Sequence, residues 1–387
     1  MEKLHRQLFN EIRSQEAEAL LQRALRLPPD DPRRIAFVQS HTDKCSSTLF
    51  NGTPDPFTPL TSDEFRSAVQ NKAGAHQTAL TSLVGLPINT KAQSTYVDPS
   101  GHNLKKLKGA PHDGTRQNHN AMQDTVSKSL AQAKIIHMGG RYGNPRTCKG
   151  IFRGMAHRLA QLIANGNPIE KVLQLIIPDI LINGLSLQGN SLLAGVKTLC
   201  DFKTLYAGGT HTEKRSDKPN AAVNARQKQA SDKYNRRADE LDSKLGITED
   251  EHGFRARLKE FGPYNDRGRV NIPVIGSYGE MSDDVYTIAG TIAEELANEH
   301  CGYYKDKSTK AVTAFFRNQL YRAWGLTAHR GWARLLLDRR CLVQIPNAPR
   351  HHTERSRVRD DYDEQTAFDS YMNPEAGFHN GPAFQGP

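Results

Sequence analysis

Long apolar runs are missing from this chain of 387 residues, so no stretch approaches the roughly 20 residues that a membrane-spanning helix needs. Cysteine is scarce and scattered. The five (Cys45, Cys148, Cys200, Cys301, Cys341) form no Cys-x-x-Cys pair, and their odd number argues against a disulfide framework. A reducing compartment fits that usage. Aromatics make up 7% of the chain and hydrophobic residues 37%, with a mean hydropathy of −0.66. That is polar for a wholly folded chain, and part of it is expected as loop or tail. Met1 to Arg6 run straight into a charged helical pattern, so no secretory leader is expected.

What is abundant is positive charge. Fifty-two Lys and Arg face 42 Asp and Glu, giving a net charge of +10 and a pI of about 9.3. An anionic partner follows, with nucleic acid the leading class. The excess is concentrated. From Lys203 to Arg237 there are nine Lys or Arg against three acids, and over 310–340 seven against one.

Leu4, Leu8, Ile12, Leu20, Leu21 and Leu25 recur at helical spacing before Pro28 and Pro29, predicting a first helix over 2–26. Residues 40–60 read as loop, and Ser62-Asp63-Glu64 opens a further helix. Few aliphatics and many Pro and Gly predict an irregular connector within 91–135. Helices are expected over 149–165, 221–245 (with Gly246 as its cap), 283–300 and 308–340, and a strand over 271–279. The predicted organisation is a helical region over 1–90, the connector over 91–135, an α/β domain over 136–343 and a disordered tail over 344–387.

Two acidic signatures stand out. Ile177-Pro178-Asp179-Ile180-Leu181-Ile182 and Leu199-Cys200-Asp201-Phe202-Lys203-Thr204-Leu205 each interrupt an apolar, β-favouring run. Gly184, Gly189 and Asn190 lie between them and supply a turn. Asp201 and Lys203 are two apart, so on a strand both project from one face. Two carboxylates side by side suit a hard cation such as Mg²⁺ or Mn²⁺, and a neighbouring lysine can orient the water that attacks a phosphate. The simpler alternative is that each acid caps or pairs with a local turn and Lys203 is an edge-strand lysine. Lys197 has the same parity and rivals Lys203 as the amine. Glu170 is a candidate third carboxylate, or a solvated helix residue.

Pro178-Asp179 with Asp201-Phe202-Lys203, followed by a helix and a strand, resembles the PD-(D/E)XK restriction-endonuclease-like nuclease core. The wider chain is similar to the C-terminal region of LINE-like (non-LTR) retrotransposon proteins of algae, oomycetes and other protists. The similarity lies in Leu60–Ala68 with Leu83–Pro87, Val97–His102 with Asn118–Asn120, Ala225–Asp242, and Arg330–Arg339. It implies a small mixed sheet flanked by helices, with a helical N-terminal region. It makes Asp179 and Asp201 metal ligands and Lys203 the catalytic lysine. It also implies a metal-dependent endonuclease of a mobile element, or the remnant of one, acting on DNA, or on RNA, inside the cell and in its nucleus. No cysteine lies between Cys45 and Cys148, so zinc is not expected despite His102, His112 and His119.

Arg226, Lys228, Gln229, Tyr234, Arg236 and Arg237 are the candidate nucleic-acid contacts on the basic helix. Phe315, Phe316, Tyr321, Trp324 and Trp332 recur at helical spacing, which reads first as core and second as a stacking surface. Two other functions remain open: a nucleic-acid-binding module of the same fold that does not cut, and a helical interaction protein whose acids are structural.

Overall fold

The computed structural model describes residues 2–51, 59–90, 93–107, 114–142, 161, 164–166, 179–186, 198–206, 217–246, 253–259, 271–304 and 307–343. Nearly all belong to one compact unit, Met1–Thr53 with Leu60–Gln344. Of a second unit, Pro54–Pro59 with Ile345–Pro387, only Pro59 is described. The expected tail, Glu170, Lys197 and almost all of the expected helix over 149–165 lie outside the described residues.

Helix α1 (Glu2–Leu25) leads to α2 (Pro32–Ser40), which starts at Asp31, whose carboxylate accepts the Arg33 amide. After α3 (Thr48–Asn51), α4 (Ser62–Lys72) opens with a capping box: the Thr61 hydroxyl accepts the Glu64 amide and Glu64 accepts the Thr61 amide. The cap is thus Thr61, one residue before the Ser62 expected from sequence. A hairpin of β1 (Pro87–Thr90) and β2 (Gln93–Tyr96) follows, then α5 (His102–Lys106) and α6 (Gly114–Gln132). The stretch 91–135, expected as an irregular connector, therefore holds a strand and two helices. Its Met122, Val126 and Leu130 are four apart and all buried, a helical stripe that the flanking Gly and Pro obscured.

The sheet that carries the acidic signatures comes next. Strand β3 (Ile135–Met138) pairs antiparallel with β4 (Ile180–Ser186), which pairs antiparallel with β5 (Thr198–Cys200). Two residues later the chain resumes as β6 (Lys203–Leu205), parallel to β7 (Val274–Gly276). The Asn271 amide bonds Leu199 O at 2.8 Å and the Asp201 amide bonds Asn271 O at 3.0 Å. Residues 198–205 thus run as one line that is bonded to β4 in its first half and to β7 in its second.

Side chains alternate across this line. Cys200 and Phe202 enter a core with α6, α9 (Asp283–His300) and α10 (Thr309–Arg339). Leu199 and Leu205 enter a second core with α7 (Ala221–Lys244) and Phe254 of α8 (Phe254–Lys259). Helices therefore pack on both sides of two small adjoining sheets, the antiparallel β3–β4–β5 and the parallel β6–β7, an α/β architecture. Helix α10, about 46 Å long at 1.5 Å per residue, is the spine. Its Trp324 indole donates to Ser129 Oγ at 3.1 Å, and its Trp332 indole donates to Gly276 O at 2.8 Å. Both rings are buried, so the aromatics of this helix are chiefly core, and truncating either would cost about 3–5 kcal/mol.

The turn after β7 is the most polar part of the interior. Residues 271–282 are all buried. Asp43 Oδ2 accepts the Met281 amide at 3.0 Å and the Tyr286 hydroxyl at 2.6 Å. Ser46 Oγ donates to Tyr278 O and accepts from Lys72 Nζ at 2.6 Å. Asn71 donates to Ser277 O. At Gly276 a Cβ would collide with the Glu280 carboxylate. Burial pushes Glu280 up to about 8 and pulls Lys72 down to about 8. The segment 31–107 is in this way locked onto the turn by side chains rather than attached as a separate layer.

Candidate active site

Asp179 immediately precedes β4 and Asp201 immediately follows β5. The register that pairs Ile180 with Cys200 puts the two acids next to each other, one step beyond the paired residues. Asp179 N donates to Cys200 O at 2.9 Å. The Asp179 carboxylate also stands in for a backbone carbonyl. Its Oδ2 accepts the Phe202 amide at 2.7 Å, where the ladder to β4 has ended. That bond ties the short link between β5 and β6 to the start of β4.

Asp201 forms the floor of the site, 4% exposed. Lys203 Nζ lies 2.5 Å from each of its carboxylate oxygens, as the two-residue spacing on one strand face allows. Tyr234, from α7, donates its hydroxyl to Asp201 Oδ2 at 2.5 Å. Burial raises the Asp201 pKa, and the nearby Asp179 charge raises it further against the pull of Lys203. Burial and the Asp201 charge likewise push the Tyr234 hydroxyl far up, so it stays a proton donor.

At the mouth, His119 of α6 holds Asp179. Its Nε2 is 3.1 Å from Asp179 Oδ2, and its ring meets the Phe202 ring edge-on at 6.4 Å. Burial would lower the His119 pKa, but the bond to Asp179 outweighs it and the net shift is upward. Burial alone would raise Asp179, yet the bond from His119 and the Phe202 amide hold it below its ordinary value. Gln123, one turn along α6, donates to Asp179 O at 2.9 Å. Asp179 Oδ1 takes no hydrogen bond from a described residue.

The sequence-predicted residues therefore divide. Asp179, Asp201 and Lys203 come together. Tyr234, expected on the basic outer face, turns inward to Asp201, because position 234 shares the buried stripe of α7 with Ala230, Ala238 and Leu241. Lys228, Gln229 and Arg236 are exposed on that helix. Arg226 bonds Gln229 Oε1 at 2.8 Å and Arg237 pairs with Glu240. Gln229 and Arg236 line an open cleft of about 500 Å³ with Asp232, Asn235 and Arg255. Sequence reasoning missed the role of His119, whose partner is 60 residues away, although the Asn118-His119-Asn120 stretch had drawn notice.

As oxygen donors, the carboxylates of Asp179 and Asp201 suit a hard divalent cation, which needs only one or two protein carboxylates and otherwise takes water and phosphate. Among the described residues nothing bonds Asp179 Oδ1, whereas Asp201 would have to exchange a contact with Lys203. Among the described residues no group of three or more His, Cys, Asp or Glu side chains is disposed to hold a metal ion. No helix among the described residues is long and apolar enough to cross a membrane. No protein-family model, curated protein or solved structure matches the chain.

Proposed function

We propose that this chain is a metal-dependent DNA endonuclease of the PD-(D/E)XK type, derived from a mobile element. The observation that carries the reading is the convergence of Asp179, Asp201 and Lys203 at one end of the β4–β5 pair. The element order supports it: a helix, antiparallel strands bearing the acids, a helix, and a strand parallel to the lysine-bearing one. Asp179 and Asp201 would hold Mg²⁺ or Mn²⁺, which when bound supplies electrostatic stabilisation of the charge developing on the phosphate. Lys203 would turn from Asp201 to orient the attacking water, Tyr234 would keep Asp201 in place, and His119 would fix Asp179. The basic face of α7 would carry the backbone of the substrate.

A second reading, a nucleic-acid-binding module that does not cut, draws on one observation. Both Asp201 oxygens are already held by Lys203, and one also by Tyr234. Nicking of supercoiled plasmid in Mg²⁺ or Mn²⁺ separates the two. Cleavage by the wild type that Asp201→Ala abolishes supports the nuclease. No cleavage with either cation, with plasmid binding intact, leaves the binding module.

A further inference from the structure

A group of aromatic rings stands at the end of the α9–α10 hairpin. Tyr303 is 87% exposed, more than any other large hydrophobic residue among those described, and Phe315 is 44% exposed. Neither exposure is explained by packing, because the core of this hairpin is complete without them. Behind them the rings of Tyr304, Phe316 and His300 form a backing layer. Phe315 meets Phe316 at 5.4 Å and Tyr304 at 5.8 Å between centroids, and His300 lies 5.6 Å from Phe316 and 6.1 Å from Tyr303. Such a layer limits the motion of the outer rings and so lowers the entropy lost when a flat ligand stacks on them.

Charge selects the ligand. Lys307 Nζ lies 5.9 Å from the Tyr304 ring centroid, and Lys307 and Lys310 are both exposed. Glu299, on the adjoining turn of α9, is paired with Lys134. Both large hydrophobic residues exposed between 300 and 317 are aromatic. Flat faces bordered by cations match the needs of unpaired bases on a phosphate backbone.

We infer that Tyr303 and Phe315, flanked by Lys307 and Lys310, form a stacking site for single-stranded nucleic acid. The inference rests on the proposed function only for the class of partner. A strand end or displaced strand next to a nick would supply such bases. A base in a continuous duplex is stacked on its neighbours and cannot reach the rings without being unpaired.

The test uses the full chain and fluorescence anisotropy with labelled oligothymidylate, labelled oligouridylate and a blunt DNA duplex. Tyr303→Ala/Phe315→Ala should weaken binding of at least one single strand by about tenfold or more, from the loss of stacking at two rings. Duplex binding should change less than about twofold, because backbone charge dominates it. Tyr303→Trp, with Phe315 kept, should retain wild-type single-strand affinity. Unchanged affinity for both single strands in the double variant overturns the inference, as does an equal loss for single strands and duplex. Plasmid nicking, scored in parallel with Asp201→Ala, keeps the two ideas apart. Loss of nicking only in Asp201→Ala, with single-strand affinity unmoved by the ring variants, would sink the stacking site and leave the nuclease standing.

Discussion

Tyr234 donates its hydroxyl to Asp201 Oδ2 at 2.5 Å, tying the long basic helix to the floor of the acidic site. The bond makes Asp201 a carboxylate with several partners inside a buried setting, and two substitutions, one keeping the bond and one removing it, should differ in their effect on stability. Asp201→Asn keeps a carbonyl acceptor for Tyr234 and removes the buried charge. It should change stability by less than about 1 kcal/mol while abolishing any nicking. Asp201→Ala strands the Tyr234 hydroxyl and should cost about 1–3 kcal/mol in urea unfolding. An equal loss for both would mean that the charge itself holds the fold.

The His119–Asp179 pair predicts a pH window. His119 is raised in the fold, so its contribution is complete below its ordinary value of 6.5 and is lost as pH climbs through the raised value. Asp179 is lowered, so its contribution is complete above 3.8 and is lost as pH falls through the depressed value. Both are present between pH 3.8 and 6.5. His119→Gln, which keeps a donor but no charge, should lower Tm by about 1–4 °C inside that window. The difference should fade as pH climbs through the raised His119 value. A deficit of constant size across pH would assign the effect to packing on Phe202.

Glu280 predicts a second loss of stability with rising pH. Its pKa is raised from 4.5 to about 8, so the folded state holds a proton that the unfolded chain releases, and stability falls as pH rises between those values. Glu280→Gln removes this dependence. The variant should gain on the wild type from pH 4.5 to 8 and stay level beyond. Parallel curves of Tm against pH would show that Glu280 is ionised inside the fold.

The basic face predicts a salt dependence. Replacing Arg226, Lys228, Arg236 and Arg237 with Gln should weaken nucleic-acid binding to every sequence and reduce the slope of log K against log salt by about 2–4. Affinity that does not respond to salt would make this face plain solvated surface and remove the proposed substrate track.

The acidic site was legible in the sequence through parity. Asp201 and Lys203 had to share a face if 199–205 were extended, and they do. Regular helices were legible for the same reason: 221–245, 283–300 and 308–340 are observed as Ala221–Lys244, Asp283–His300 and Thr309–Arg339. Partners distant along the chain were not. Tyr234 looked like one more polar residue on a charged helix because no local pattern announces an acceptor 33 residues away. Helix α6 was hidden because Gly and Pro around it outweighed three well-spaced apolar residues. The strand expected over 271–279 shrank to Val274–Gly276, since Ser277 to Glu280 turn back to meet Asn71 and Ser46.

That buried turn has a consequence for the order in which the chain can mature on the ribosome. Ser46 meets Tyr278 across 232 residues, Asn71 meets Ser277 across 206, and His329 reaches Ser46 across 283. The early segment therefore emerges without the late partners of Asp43, Ser46 and Asn71, and it waits unfinished until α10 has been made. Contacts of such separation form slowly, and the waiting segment exposes apolar surface meanwhile. Synthesis halted before Trp332 should thus yield a product that chaperones retain and proteases clear, whereas one carried through Val343 closes on itself.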